Sequence, residues 1–144
     1  MPRYTVYCDG ASRKDGRGGW GYVAYQGRRE LRRGAGGDWD TTNNRMELMG
    51  AICALKSLPF GATVTVFSDS KYVIEGITEY LDDWLARNWR TSGNKEVKNR
   101  DLWEELGHLD ADRCVTWRWV KGHAGTPGNE LADKLAGSGV PPQN

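Results

Sequence analysis

The chain is poor in cysteine, histidine and long apolar runs, and each shortage excludes something. Its three cysteines, Cys8, Cys53 and Cys114, are odd in number and lack CxxC spacing. That pattern fits neither a disulfide framework nor a thiolate metal site, and reduced buried thiols are expected. Two histidines, His108 and His123, are too few for a histidine-built zinc centre. No stretch approaches the roughly 20 apolar residues of a membrane span, and the opening MPRYTVYCDG lacks the apolar core of a secretory signal. A cytoplasmic protein without membrane association is therefore expected. There is also no large excess of either charge. Twenty Lys and Arg stand against 19 Asp and Glu, a net of +1, which excludes a uniformly basic nucleic-acid binder. No internal repeat and no oligomerisation stripe is present, so a monomer is expected. At 144 residues the chain reads as one domain, able to bury about two-thirds of its unfolded surface without a disulfide or metal.

What is present is patterned. Residues 3–33 carry eight Lys and Arg against Asp9, Asp15 and Glu30, and residues 84–100 carry five against Glu96, whereas 101–112 hold five acids and no Lys or Arg. Patches of this kind steer a polyanion to one face, or are simply solvated surface. β-Formers at 3–9 predict a first strand ending on Asp9. GYVAYQ and ELRRGAG about Gly27-Arg28-Arg29 predict a hairpin, and TVTVFS at 63–68 and VTWRWV at 115–120 predict two more strands. Apolar spacing predicts helices over 43–57, 70–83, 99–107 and 127–136, with Pro127 near the start of the last and Gly137 after it. The order predicts an α/β fold, a five-stranded mixed sheet with helices packed on it and the first strand central. The domain is expected to occupy 1–137, followed by a flexible tail over 138–144.

Four acids lie where side chains could converge. Asp9 and Asp69 end the first and fourth strands; if those are parallel neighbours, both sit at the carboxyl edge where open α/β sheets bind ligands. Glu47 and Asp133 lie on helices. Each has an ordinary alternative: a turn at Asp9, a helix-dipole or capping-box role for Glu47, an N-cap at Asp69, a solvated helix charge at Asp133. Brought together, however, they would repel and raise one another's pKa values. Two Mg²⁺ ions would balance them, since hard oxygen ligands suit Mg²⁺. Two metals roughly 3.5–4 Å apart serve in-line displacement at phosphorus. His123, between two glycines just before the last helix, has a side chain suited to proton transfer near neutrality, whereas His108 reads as surface.

The strand ending Cys8-Asp9-Gly10, together with TTNNRMELMGAICAL, VFSDSKYVIEGIT, VKNRDLW and WVKGHAGTPGNELADKLA, resembles type 1 ribonuclease H, the short bacterial form, over about residues 3–137. The resemblance implies a ribonuclease H-like fold. It also implies two Mg²⁺ ions, with Mn²⁺ a possible substitute, held by Asp9, Glu47, Asp69 and Asp133, with His123 as a mobile proton-transfer residue. The implied substrate is an RNA–DNA hybrid, its RNA strand cut to leave 5′-phosphate and 3′-hydroxyl ends. Reading the ribose 2′-hydroxyl would fall to the backbone at Gly10 and the amides of Asn43 and Asn44, and Thr42 would hold a DNA phosphate. Residues 76–100 resemble a basic handle in which Trp84, Arg87, Trp89 and Arg90 grip the duplex. Asp82 and Asp83 precede Arg87, so a handle with shallow salt dependence is expected. Trp103, Trp117 and Trp119 read as core. Asp15, a carboxylate in the first glycine loop, departs from the family pattern. Integrase-like transferases and a noncatalytic hybrid-binding module are the alternatives.

Overall fold

The computed structural model describes residues 2–143. Strands β1 (Arg3–Ser12), β2 (Gly18–Gln26) and β3 (Arg29–Asp38) form an antiparallel meander, and helix α1 (Asn43–Lys56) leads to β4 (Thr63–Ser68). A segmented helix, α2 (Lys71–Glu75) and α3 (Leu81–Ala86), precedes α4 (Arg100–Ala111), β5 (Cys114–Trp119) and α5 (Pro127–Gly139). The sheet order is β3-β2-β1-β4-β5, with β4 parallel to β1 and β5 parallel to β4. The expected mixed sheet and its central first strand are both present.

Alternation along the strands makes one apolar face. Val6 and Cys8 of β1, Ala24 of β2, and Val64 and Val66 of β4 pack against Leu48, Ile52 and Leu55 of α1 and against Leu102, Trp103 and Leu106 of α4. Each fully buried valine, leucine or isoleucine among them contributes about 1.5–3 kcal/mol of transfer free energy. Trp103 and Trp117 join this core as expected.

On the other face α5 crosses β1, β2 and β3 diagonally. A Cβ at Gly21 would lie 2.6 Å from the Ala136 nitrogen, so glycine lets helix and sheet backbones meet. This contact carries α5 past its expected end at residue 136, through Gly137 and Ser138 to Gly139. Within the tail, the Pro141 carbonyl accepts from Arg17 Nη1 at 2.7 Å. Asn144 lies outside the described residues.

The helix expected over 70–83 is broken by a π-helical turn at Gly76–Tyr80. Gly76 faces the Trp103 indole, where a Cβ would come within 2.5 Å of Cζ2. Such a turn widens the helix locally and re-aims α3 relative to α2. The segment 87–99 is irregular, and Asn88, Trp89, Asn94 and Asn99 all adopt positive φ.

Candidate active site

Strand β1 does not end on Asp9. It continues to Ser12, paired with β2 throughout, whereas its parallel partner β4 stops at Ser68 opposite Cys8. Asp9 is thus the first β1 residue beyond the β4 ladder, and Asp69 is the first residue after β4. Both carboxylates occupy the carboxyl edge of adjacent parallel strands. Helix α1 brings the third. Gly10 and Gly50 allow this: a Cβ on Gly10 would lie 2.5 Å from the Met46 carbonyl carbon, and one on Gly50 would lie 2.8 Å from the Asp9 carbonyl oxygen. The demand for glycine at position 10 therefore comes from α1, which must lie against β1 to set Glu47 beside Asp9.

Carboxylate oxygens of Asp9, Glu47 and Asp69 all lie within 4.8 Å of one another. Asp9 and Glu47 are buried, at 4% and 7% exposure, and Asp69 is half-buried. Burial first, and the Asp69 charge second, push the Asp9 pKa up from 3.8 to about 7. Glu47 is raised further, to about 10, chiefly by burial and then by the Asp9 charge. Asp133 on α5 stands outside the 4.8 Å group, but its charge also raises Asp9.

The ordinary roles for these acids belong to other residues. Thr42 caps α1, its Oγ1 accepting from Arg45 N at 3.2 Å, and Ser70 caps α2, its Oγ accepting from Val73 N at 3.2 Å. Glu47 lies beyond the first turn of α1. Glu47 Oε1 is buried without a hydrogen-bond partner, a cost of about 1–3 kcal/mol for a polar group. An all-oxygen set with an unpartnered buried oxygen fits a hard divalent cation. His123 is exposed on the β5–α5 loop at φ 56 and outside the 4.8 Å carboxylate group, although the loop passes close by: a Cβ on Gly122 would sit 2.8 Å from Asp69 Oδ2.

Asn43 and Asn44 are exposed in the first turn of α1, free of the capping role that Thr42 fills. Trp89 is only 8% exposed and packs with the core, and Trp84 is half-buried against Trp103 at a centroid distance of 5.2 Å. Ile77, Leu81 and Val97 are buried with Trp89, so the apolar side chains of this excursion form a small interior continuous with the core. Arg87 is paired with Asp83 at 2.9 Å, which leaves Arg90 as the exposed cation among the expected handle residues without an ion-pair partner among the described residues. Asp15 is likewise neutralised, bonded to Arg17 Nε at 2.8 Å.

Trp119, expected in the core, is 45% exposed. It ends β5 at the site, where its Nε1 donates to the Asp69 carbonyl at 3.0 Å and Lys71 Nζ lies 5.1 Å from its ring. Arg45 was not anticipated either. It grips Asp101 through two bonds of 3.0 and 2.8 Å and Asn99 at 3.2 Å, tying α1 to the base of the handle. Its position two residues before Glu47 was the available signal.

Fold and site together define an acidic centre, suited to a divalent cation, at the edge of a mixed α/β sheet. The RNase H family profile matches residues 1–141. The chain is 50% identical over 141 residues to a Ribonuclease H of Hahella chejuensis, covering 97% of this chain and 95% of that one. It is 51% identical over 139 residues to a Ribonuclease HI of Pseudomonas aeruginosa, covering 94% and 92%. Among solved structures, LC9-RNase H1, described as a type 1 RNase H with the type 2 active-site motif, superposes with a TM-score of 0.85 at 33% identity, over 97% of this chain and 72% of that one. The chain belongs to the ribonuclease H family, in its type 1, bacterial-like form.

Proposed function

We propose that this protein hydrolyses the RNA strand of RNA–DNA hybrids as a metal-dependent endonuclease, leaving 5′-phosphate and 3′-hydroxyl ends. The observation that carries the reading is the convergence of Asp9, Glu47 and Asp69 within 4.8 Å, two of them buried, in a chain of this family. Asp9, Glu47, Asp69 and Asp133 would hold two Mg²⁺ ions, or Mn²⁺ in their place. When bound, such ions supply Lewis-acid stabilisation of the charge that develops at phosphorus.

The remaining work falls to the chain itself. Burial of Asp9 and Glu47 keeps the site rigid and largely dry on its inner side. Rigid placement matters because a misplacement of about 1 Å can cost about 10²-fold in rate. His123, on a loop that passes the Asp69 carboxylate, moves a proton to the departing 3′-oxygen. Asn43 and Asn44, exposed beside the site, pair donor and acceptor with the ribose 2′-hydroxyl, and the Gly10 backbone supports them. Thr42 and Arg90 take backbone phosphates. The handle binds weakly because Asp83 neutralises Arg87 and Trp89 is buried. A monomer acting on hybrid duplex is the simplest assembly. The noncatalytic reading loses support because Asp9, Glu47 and Asp69 are assembled, and the integrase-like reading because the matched relatives are ribonucleases.

The test is incubation with end-labelled RNA–DNA, RNA–RNA and DNA–DNA duplexes of one sequence, with Mg²⁺ and with chelator. Cleavage of RNA in the hybrid alone, and only with Mg²⁺, is expected. Comparable cutting of a pure duplex, or cutting in chelator, would defeat the proposal.

A further inference from the structure

The basic segment over residues 3–33 is not used by the catalytic edge, and the structure places part of it around an open stretch of sheet. Helix α5 covers its face of the sheet only diagonally. Outside its N-terminal end, where Gly128 sits against the Tyr7 ring, the sheet is uncovered and forms a shallow cleft of about 570 Å³. The floor is aromatic. Tyr7 and Phe67 stack at 4.9 Å and 14°, and Tyr25 stands edge-on to Tyr7 at 6.3 Å and 85°. All three are half-buried, so their rings are held in place while part of each remains open.

One arginine lines this floor and two more stand on the same face of the sheet. Arg28 lines the cleft from the β2–β3 turn. Arg118 is in register with Phe67, and Arg3 precedes Tyr7 by four residues on β1, so both side chains stand on the same face as the rings. None of the three has an ion-pair partner among the described residues. The acid in register with Tyr25, Glu30, is held by Arg33 at 2.7 Å. A rigid aromatic floor with unpaired guanidinium groups at its margin matches one kind of ligand: a flexible polyanion carrying planar rings.

We propose that this face is a second nucleic-acid site, which takes single-stranded DNA or RNA apart from the hybrid held at the carboxylates. Bases stack on Tyr25 and Phe67, and phosphates meet Arg3, Arg28 and Arg118. Stacking is tolerant of sequence because every base has a π-face, so little base preference is expected.

The test uses the full chain without divalent metal, titrated into fluorescein-labelled oligothymidylate at low salt and followed by anisotropy. Wild type is expected to bind, with Phe67→Ala weakening affinity at least fivefold. Arg118→Glu should weaken it similarly, and Arg118→Ala should lower the magnitude of the logarithmic salt slope by about 0.7. Phe67→Ala, Arg118→Glu and Arg118→Ala should all cleave a short blunt hybrid as wild type does, whereas Arg90→Glu, in the handle, should leave oligothymidylate affinity within about twofold. Circular dichroism checks folding; if Phe67→Ala is unfolded, Tyr25→Leu and Arg118→Glu decide. Absence of binding by wild type, wild-type affinity in folded Phe67→Ala and Arg118→Glu, or loss of binding in Arg90→Glu alone would overturn the inference. Failure of hybrid cleavage with intact oligothymidylate binding would instead count against the catalytic reading.

Discussion

Asp9→Asn should stabilise the metal-free protein while removing its activity, and the size of the effect can be worked from the site. The Asp9 side chain is 4% exposed, lies beside Glu47 and Asp69, and has its pKa pushed up from 3.8 to about 7. At 1.36 kcal/mol per unit the ionised form would cost the folded state up to about 4 kcal/mol. Asp9 and Glu47 compete for one proton, so replacing one acid should recover about half, ~2 kcal/mol, or about 4–8 °C for a chain of this size. Asparagine keeps the short-range acceptor, since the Gly10 amide donates to Asp9 Oδ1 at 2.9 Å. The pH dependence has a definite sign. A carboxyl whose folded pKa is raised favours the folded state below its unfolded pKa, near 4, and that advantage is lost as pH rises through about 7. Wild type and variant should therefore melt at similar temperatures at pH 4 in chelator and diverge towards pH 8, with the variant higher. Adding Mg²⁺ should raise the wild-type melting temperature by mass action and move the variant less. The assay is thermal unfolding by circular dichroism across pH, with and without Mg²⁺. A variant less stable than wild type at pH 8 in chelator would refute the electrostatic reasoning.

The other perturbations probe separate parts of the account. Gly10→Ala drives a Cβ into the α1 backbone; it should destabilise by about 3 kcal/mol or more and depress activity by displacing Glu47, checked by denaturant unfolding and initial rates. His123→Ala should lower kcat by about 10²-fold or more with the Mg²⁺-induced shift in melting temperature unchanged, because the imidazole stands apart from the carboxylates. Asp83→Asn releases Arg87 from its ion pair; it should lower KM for hybrid a few-fold and steepen the logarithmic salt slope by up to about 0.9, measured from 50 to 200 mM salt.

Much of this was legible in the sequence because period and punctuation agreed. The alternation of TVTVFS and VTWRWV marked β4 and β5 within a residue, and the strand-to-acid steps at Cys8-Asp9 and Ser68-Asp69 marked the carboxyl edge. What was not legible depended on neighbours distant in sequence. The continuation of β1 to Ser12 is decided by β2, which pairs with it to the end, while β4 stops early. The true reason for Gly10 appears only when α1 is laid across it. The π turn at Gly76–Tyr80 begins where Gly76 packs against the Trp103 ring, 27 residues further along the chain. Tryptophan next to arginine reads equally as a nucleic-acid grip or as a small interior, and in the handle packing chose the interior for Trp89. At Trp119 the error ran the other way, since the residue lies at the strand's end, where the covering layer stops.

The central claim is that the carboxylate cluster carries metal-dependent cleavage of the RNA strand. Its most direct measurement is cleavage of a hybrid labelled separately on RNA and DNA, with saturating Mg²⁺, by wild type and by folded Asp9→Asn at equal concentration. The account predicts RNA fragments with 5′-phosphate and 3′-hydroxyl ends from wild type, an intact DNA strand, and a rate lower by several orders of magnitude in the variant. Equal cleavage by Asp9→Asn, or fragments ending in 3′-phosphate, would contradict it.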